Sequence, residues 1–314
     1  MKIQLLWVAM FAAQTFAARL CFAQQRSVSI TIDDVPNVRL FTADGNSSKL
    51  LSRLDSMKLP VAIFINEQHL SASGDFEKNK NLLKTWLAKD FVTAGNHSFS
   101  HPNYGEIGFE AFSEDVVKGE KVTQEILAGS GKKLEYFRFP FNATGRDSLE
   151  QSKMRSFLME KHYISTPFTV ENEDWLYTQL YEKALSEGNK KLAASIGNQF
   201  IQMTLKRFDF FDSLSVAHYG KPIKQIYLCH DNRLNTDYLP LLVKKLKEKK
   251  YNFISLADAM SDPVYQSQDY YHGNAGFSWI YRWMGDLEKR RAAMRIEPEN
   301  QDIQKAYEEM QRKK

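Results

Sequence analysis

The sequence alternates short apolar runs with longer amphipathic segments from Ser27 onward, and this alternation limits the folds open to the chain. Repeated strand and helix units of this kind build a parallel sheet or a barrel. We predict seven strands, at Val28–Ile32, Val61–Ile65, Phe91–Ala94, Tyr136–Phe139, Tyr163–Ser165, Gln225–Leu228 and Asn252–Ile254. Helices are predicted between them, at Ser47–Met57, Lys80–Lys89, Phe109–Leu127, Ser148–Lys161 and Asp237–Lys249. The sequence therefore indicates a parallel α/β fold.

Charged side chains follow several of the predicted strands. They are Asp33, Asp34, His97 and His230, and Arg138 lies near the end of the fourth predicted strand. Since the carboxyl ends of parallel strands meet at the same edge of a sheet or barrel, we expect these side chains to lie close together.

The adjacent acids Asp33 and Asp34 end an apolar strand. An isolated pair of aspartates is typical of a turn or a helix cap. Carboxylates at the end of a buried strand, however, are costly unless they are paired, hydrogen-bonded or bound to a metal. The residues at the ends of the neighbouring strands decide whether Asp33 and Asp34 form a turn or belong to a site.

Two histidines, His97 and His101, follow the third strand at a spacing of four. If Asn96 to His101 forms a helical turn, both imidazoles lie on one face and one cation can bridge them. Asp34 would complete three protein ligands and leave coordination positions for water and substrate, as in a catalytic site. The absence of nearby cysteine favours zinc or a harder divalent ion over a thiolate site.

Five short motifs make the chain resemble carbohydrate esterase family 4, the polysaccharide deacetylases with NodB homology. In order, the motifs are Thr31-Ile32-Asp33-Asp34, His97-Ser98-Phe99-Ser100-His101, Arg138-Phe139-Pro140-Phe141, Asp174-Trp175 and Leu228-Cys229-His230. The resemblance implies a distorted, incomplete (β/α)7 barrel that removes acetyl groups from a glycan. N-deacetylation of a chitin-like or peptidoglycan-like amino-sugar polymer is favoured. An O-acetyl polysaccharide esterase and a catalytically silent glycan- or metal-binding protein are the alternatives.

The resemblance also implies roles for the acid and base residues. Asp33 would be the catalytic base that takes a proton from a metal-bound water, and His230 would be the general acid. Arg138 would orient Asp33 and favour its ionised form, while Asp174 would favour the imidazolium form of His230. An ionised base and a protonated acid are what amide hydrolysis requires.

The remaining implied roles concern the metal and the acetyl group. The metal would be held by Asp34, His97 and His101, with Zn2+ favoured and Co2+, Ni2+ or Mn2+ also compatible. The backbone N–H of Phe141 would hold the oxyanion, while Trp175 and Leu228 would contact the acetyl group. The period of two along a strand turns Cys229 away from this site, so we expect Cys229 to pack in the core.

The chain departs from the family pattern in three places. Val35-Pro36 replaces the glycine expected after the first acids, and Phe141 stands where tyrosine is common. Between the fourth and fifth motifs, Leu176 to Phe211 is predicted to form an inserted helical hairpin that turns at Gly188 and acts as a lid or substrate wall. Asn142 and His218 are further candidates for sugar contacts.

The two ends of the chain are predicted to lie outside the catalytic domain, which we place at residues 24–262. Residues 1–23 have the basic start, apolar run and small residues before a cleavage point that mark a secretory signal peptide, so we expect a secreted or periplasmic protein. Residues 263–314 form a C-terminal extension, first aromatic and then charged. Its aromatic part either packs against the domain, which we favour, or forms a sugar platform.

Composition adds few constraints. The chain has 42 basic and 38 acidic residues, of which only Lys2 and Arg19 lie in the predicted signal peptide. A nearly neutral mature chain gives no reason to expect a nucleic acid partner or an anionic membrane, and no membrane insertion is expected after cleavage. The expected partner is an acetylated polysaccharide or oligosaccharide. Cys229 would be the one cysteine left in the mature protein, so no internal disulfide is predicted.

Overall fold

The predicted strands form one parallel sheet. The computed structural model describes residues 26–72 and 74–313, so the predicted signal peptide lies outside it. The strands are β1 (Ser27–Val35), β2 (Val61–Ile65), β3 (Val92–Asn96), β4 (Leu134–Phe137), β5 (Ile164–Ser165), β6 (Lys224–His230) and β7 (Asn252–Phe253). All seven predicted strands are confirmed, with ends that differ by at most three residues.

The sheet curves into an open barrel. The strand order is β5-β4-β3-β2-β1-β6, and β7 pairs with the start of β1. Between the two edge strands runs an irregular segment, in which the Thr166 N–H donates to the Phe137 carbonyl at 2.7 Å and Val170 bridges to Tyr227. The predicted incomplete barrel is confirmed, and its active edge is expected where the parallel strands end.

Helices cover the sheet and continue beyond it. They are α1 (Val38–Ala43), α2 (Lys49–Met57), α3 (Phe76–Leu87), α4 (Tyr104–Lys118), α5 (Lys121–Leu127), α6 (Ser148–Glu160), α7 (Asp174–Ser186), α8 (Lys190–Tyr219), α9 (Arg233–Glu248), α10 (Leu256–Met260), α11 (Trp279–Arg282), α12 (Leu287–Arg295) and α13 (Gln301–Arg312). Over the described part of the chain, no helix combines the length and the apolar character needed to cross a bilayer.

The single helix predicted at Phe109–Leu127 is wrong. The structure has two helices there, because the chain bends at Gly119 between α4 and α5. A Cβ atom at Gly119 would lie 2.5 Å from the Phe99 nitrogen and from the Ser98 carbonyl carbon. The close approach of the loop after β3 therefore requires glycine at this point.

The predicted hairpin insertion is confirmed and is longer than expected. Helices α7 and α8 pack against each other and are joined at Gly188, whose φ is 71°. Asn189 begins α8, since its side chain accepts a hydrogen bond from the Leu192 N–H.

The C-terminal extension packs against the barrel. Trp279, Tyr281 and Trp283 are buried in the main apolar core, and the Trp279 N–H donates to the Phe168 carbonyl at 3.0 Å. The packing interpretation is confirmed for these three aromatic residues. The extension therefore shares an apolar core with the barrel.

Candidate active site

A cavity of about 770 Å³ opens at the carboxyl ends of β1, β3 and β6. It brings together eight of the ten residues singled out from the sequence. These are Asp33, Asp34, His97, His101, Phe141, Trp175, Leu228 and His230. The other two, Arg138 and Asp174, are buried behind this surface and hydrogen-bond to the residues that line it.

The three predicted metal ligands form a compact cluster. One ligand atom from each of Asp34, His97 and His101 lies within 4.8 Å of the other two. Asp34 Oδ1 is 3.9 Å from His97 Nε2 and 3.7 Å from His101 Nε2. Two imidazoles and one carboxylate are a donor set that binds zinc and leaves positions open for other ligands.

The backbone that carries the two histidines is a loop, so the expected helical turn is wrong. Ser98 and His101 have φ values of 63° and 58°, in the left-handed region. Asp115 on α4 imposes this shape, because its side chain accepts hydrogen bonds from the Phe99 N–H at 2.9 Å and the Ser100 N–H at 3.0 Å. The imidazole rings still meet, with centroids 4.9 Å apart.

The protonation state of His97 suits a metal ligand. Burial, followed by the nearby His101, lowers the pKa of His97 well below its usual value, so the ring is neutral. Its Nδ1 lies 2.7 Å from the Arg138 carbonyl oxygen, which can only accept a hydrogen bond. The proton is therefore on Nδ1, and the Nε2 lone pair is available for a cation.

Left-handed backbone is concentrated around this cluster. Asp34, with φ 63°, and Phe141, with φ 56°, share this conformation with the two residues of the histidine loop. Such conformations cost about 1–3 kcal/mol each in residues other than glycine and persist where surrounding contacts impose them. The surrounding contacts hold these residues in an unfavourable backbone conformation, and this conformation sets the orientation of their side chains.

Asp33 is buried and held from one side. Arg138 Nη1 donates to Asp33 Oδ1 at 2.8 Å and to Thr31 Oγ1 at 2.7 Å. The other oxygen, Oδ2, lies 3.6 Å from His97 Nε2. Asp33 thus has one oxygen fixed by a guanidinium and one facing the metal-ligand cluster.

His230 lies opposite Asp33 in the pairing of β1 with β6. Its Nδ1 is 2.6 Å from Asp174 Oδ1, and its backbone N–H donates to Asp174 Oδ2 at 2.8 Å. Asn232 and Asn235 also donate to that second oxygen. Burial alone would lower the pKa of His230, but the ion pair with Asp174 outweighs burial and raises it to about 10.

Three aromatic and apolar side chains line part of the cavity. Phe141 and Trp175 are 56% and 42% exposed, whereas Leu228 is buried below them. Trp175 begins the inserted hairpin, and its ring packs edge-on against Tyr307 of α13 with centroids 5.6 Å apart. Helix α7 thus forms a wall of the cavity. Of the two roles that the sequence left open for the insertion, a lid or a wall, this position fits the wall.

Asn142 and His218, the further candidates for sugar contacts, have different locations. Asn142 lines the cavity beside Phe141. His218 lies at the far end of α8 against Tyr219, so it is not a cavity residue. Cys229 is buried as expected, and its Sγ contacts the Thr31 carbonyl.

The cavity also contains residues that we did not single out for the site. They are chiefly His69, Glu171, Asp231 and Gly276. His69 comes four residues after β2. A search for polar side chains just after each predicted strand would therefore have found it. Burial raises the pKa values of Glu171 and Asp231 to about 7. Asp231 directly follows β6 and could have been found by its position, whereas no spacing in the sequence distinguishes Glu171.

Comparisons with known proteins agree with this geometry. The family model described as polysaccharide deacetylase matches residues 23–156. A peptidoglycan-N-acetylglucosamine deacetylase of Bacillus cereus is 23% identical over 148 residues, which are 47% of this chain and 46% of that protein. This match therefore spans less than half the length of that relative. YheN of Bacillus subtilis strain 168 is 21% identical over 241 residues, 77% of this chain and 70% of YheN.

Two solved structures share the fold at low sequence identity. A mutant of a carbohydrate esterase family 4 pseudoenzyme from Bacillus anthracis has a TM-score of 0.51 and 17% identity, covering 76% of this chain and 68% of that one. A peptidoglycan N-acetylglucosamine deacetylase has a TM-score of 0.50 and 17% identity, covering 76% of this chain and 89% of that one. These structures share the fold with this chain, and the match over residues 23–156, less than half of the chain, makes that part similar to polysaccharide deacetylases.

Proposed function

We propose that the protein is a metal-dependent hydrolase that removes acetyl groups from the N-acetylated amino sugars of a polysaccharide. One observation carries the proposal: an acid and a base, His230 and Asp33, line the same cavity as a cluster of three metal-ligand residues. A shared fold does not by itself imply activity, as the pseudoenzyme among the structural relatives illustrates. The presence of both proton-transfer groups supports catalysis over silent binding.

The donor set supports a divalent cation. Bound by Asp34, His97 and His101, the cation would supply Lewis acidity toward the acetyl carbonyl and toward a water molecule. Zinc is our first choice because imidazole and carboxylate ligands with open positions are typical of catalytic zinc. Cobalt, nickel and manganese are compatible with the same ligands.

Asp33 is proposed as the general base. Its Oδ1 is engaged by Arg138, which leaves Oδ2 to accept the proton of the attacking water. Arg138 also fixes the carboxylate plane, since its guanidinium is fully buried and donates to both Asp33 and Thr31.

His230 is proposed as the general acid. The scissile nitrogen must be protonated before it leaves, because an amide anion is a very poor leaving group. With its pKa raised to about 10 by Asp174, His230 carries the required proton at neutral pH. After transfer, the products are a free amine on the sugar and acetate.

The remaining residues are proposed to hold the acetyl group. The Phe141 N–H would donate to the oxyanion that forms when water attacks. Leu228, at the cavity floor, and Trp175, on its wall, would contact the acetyl methyl group. Exposed aromatic rings beside the site also suit the apolar faces of sugar rings.

A chitin-like or peptidoglycan-like polymer is the proposed substrate class. A Bacillus cereus relative and a structural relative carry names that describe deacetylation of N-acetylglucosamine in peptidoglycan. We also propose export of the protein, on the pattern of residues 1–23. N-terminal sequencing of the exported protein tests this point, and we expect it to begin at Gln24.

Acetate release from a panel of glycans tests the proposed activity. The purified protein is stripped with a chelator, reloaded with one metal at a time, and assayed on chitin oligomers, peptidoglycan and O-acetylated xylan. We expect acetate from the N-acetylated substrates in the reloaded protein and none in the stripped protein. Release from xylan alone would indicate an O-acetyl esterase. Tight glycan binding without release at any metal loading would refute the enzyme.

A further inference from the structure

We propose that the C-terminal extension braces the loop that carries Phe141, and that Gly276 is the positioning residue that makes the brace possible. The catalytic consequence rests on the proposed function, because the brace would set the position of the N–H that binds the oxyanion. The family match ends at residue 156, well before the extension. The contacts that argue for the brace come from three points of the extension.

The braced loop has a conformation that its own sequence does not favour. Phe141 and Asn142 are consecutive residues with φ values of 56° and 52°. Most residues other than glycine avoid this region, although asparagine tolerates it. The turn's own bond from the Asn142 N–H to the Phe139 carbonyl supports the loop in part, and contacts from outside can add to it. Phe141 is also largely exposed, so little burial of its own side chain holds it in place.

Gly276 supplies the closest contact from the extension. A Cβ atom at position 276 would lie 2.0 Å from the Phe141 carbonyl oxygen and 3.0 Å from Asn142 Cβ. The nearest atom belongs to the backbone, which cannot move aside as a flexible side chain can. Only glycine allows the extension to lie directly against this loop, and the same residue lines the catalytic cavity.

Arg282 provides the second contact. It is fully buried, lies 4.4 Å from the centre of the Trp279 ring, and donates to Asp269 and to Thr144 Oγ1. Thr144 follows the loop by two residues, so a rigid, charged side chain of the extension fixes the carboxyl end of the loop. The bond to Thr144 is 2.6 Å long.

Asn274 provides the third contact, to the segment that follows the histidine loop. Its Nδ2 donates to Asn103 Oδ1 at 2.9 Å, and Asn103 follows the metal-ligand candidate His101 by two residues. A Cβ at Gly105 would lie 2.4 Å from Asn274 Oδ1, so the two segments are in close contact. Residues 274 and 276 thus connect the loop of a metal ligand to the loop of Phe141.

The variant Gly276→Ala tests the brace, with Gly285→Ala as its matched control. Gly285 lies in the same extension, and an added Cβ there would meet only the ring of Tyr270, which is half exposed and free to move. Hydrogen exchange measured by mass spectrometry reports the loop directly, without any need for activity. We expect exchange in the peptide covering residues 139–144 to become about 10-fold faster in Gly276→Ala and to stay unchanged in Gly285→Ala.

The kinetic consequence is measured on the same samples. Because loss of an oxyanion donor costs about 100–1,000-fold in kcat, a displaced donor should cost about 10–100-fold, with KM and metal affinity unchanged. If Gly276→Ala does not fold, Asn274→Ala is measured in the same way, with a smaller expected loss of about 3–10-fold.

The outcomes separate the brace from the proposed function. Unchanged loop exchange in the variant overturns the brace, whatever the activity. Faster exchange with unchanged kcat overturns its catalytic consequence. A wild-type protein that releases no acetate refutes the proposed function, and the exchange experiment then still decides whether the extension holds the loop.

Discussion

Asp174 holds His230 by two hydrogen bonds at once: its Oδ1 lies 2.6 Å from the imidazole Nδ1, and its Oδ2 accepts the backbone N–H of the same residue at 2.8 Å. The first bond fixes the tautomer and charge of the ring, while the second fixes the end of β6. The protonation state of the proposed acid is therefore built into the strand that carries it.

The Asp174→Asn variant should move the basic limb of the pH profile. In the wild type, kcat/KM should stay high until the pH approaches about 10, the pKa of His230, because the acid works only while protonated. Without the carboxylate, burial lowers the pKa against only the weaker raising effects of Asp34 and Asp33, so the pKa of His230 should fall well below that of the wild type. At pH 8 we expect kcat/KM to drop by about 10²–10⁴-fold.

A half-buried aspartate at the surface provides the control for this profile. Asp55 pairs with Lys58 and Lys89 at the surface, far from the cavity, so Asp55→Asn should leave the pH profile unchanged. Asp174→Asn with a wild-type basic limb would show that His230 is not the group that titrates in catalysis.

The Asp115→Ala variant should weaken metal binding although Asp115 is not a ligand. Its carboxylate holds the N–H groups of Phe99 and Ser100, and thereby the loop between the two histidines. Outer contacts of this kind contribute about 10–100-fold to metal affinity, so the dissociation constant from isothermal titration should rise by that factor. Glu114→Ala, the exposed neighbour on α4, should bind metal as the wild type does; equal affinity in the two variants would contradict this role.

The Tyr307→Ala variant should affect substrate binding more than chemistry. Tyr307 supports the exposed face of Trp175 from helix α13, and aromatic pairs of this kind contribute about 0.5–1.5 kcal/mol. We expect KM for a chitin oligomer to rise by about 2–10-fold while kcat stays the same. Tyr307→Phe keeps the ring and loses only the hydroxyl contact to Gln179, so its KM should be near that of the wild type. A loss confined to kcat would contradict the assignment.

The strands and most of the site residues were predictable because they follow a local rule. Polar side chains directly after apolar parallel strands must meet at one edge, and Asp33 and His230 do so on neighbouring strands. The packing of Cys229 followed from strand alternation for the same reason.

The conformations between those residues were not predictable because distant contacts impose them. The histidine loop is not helical, since Asp115 captures its N–H groups from 15 or more residues away. The chain needs glycine at position 119, between α4 and α5, because the loop after β3 leaves no room there for a Cβ atom. Glu171 reaches the cavity through the irregular segment between β5 and α7, and Gly276 reaches it through the extension; the sequence has no local signal for either path.

The most direct test measures metal content and acetate release on the same samples of wild type, Asp33→Asn and His97→Ala. We expect Asp33→Asn to bind metal with wild-type affinity and to lose about 10²–10⁴-fold in acetate release, because it removes the base and leaves the ligands intact. His97→Ala should lose the metal and the activity together. Equal loss of metal in both variants, or acetate release by Asp33→Asn at the wild-type rate, would contradict the division of labour between the adjacent acids Asp33 and Asp34.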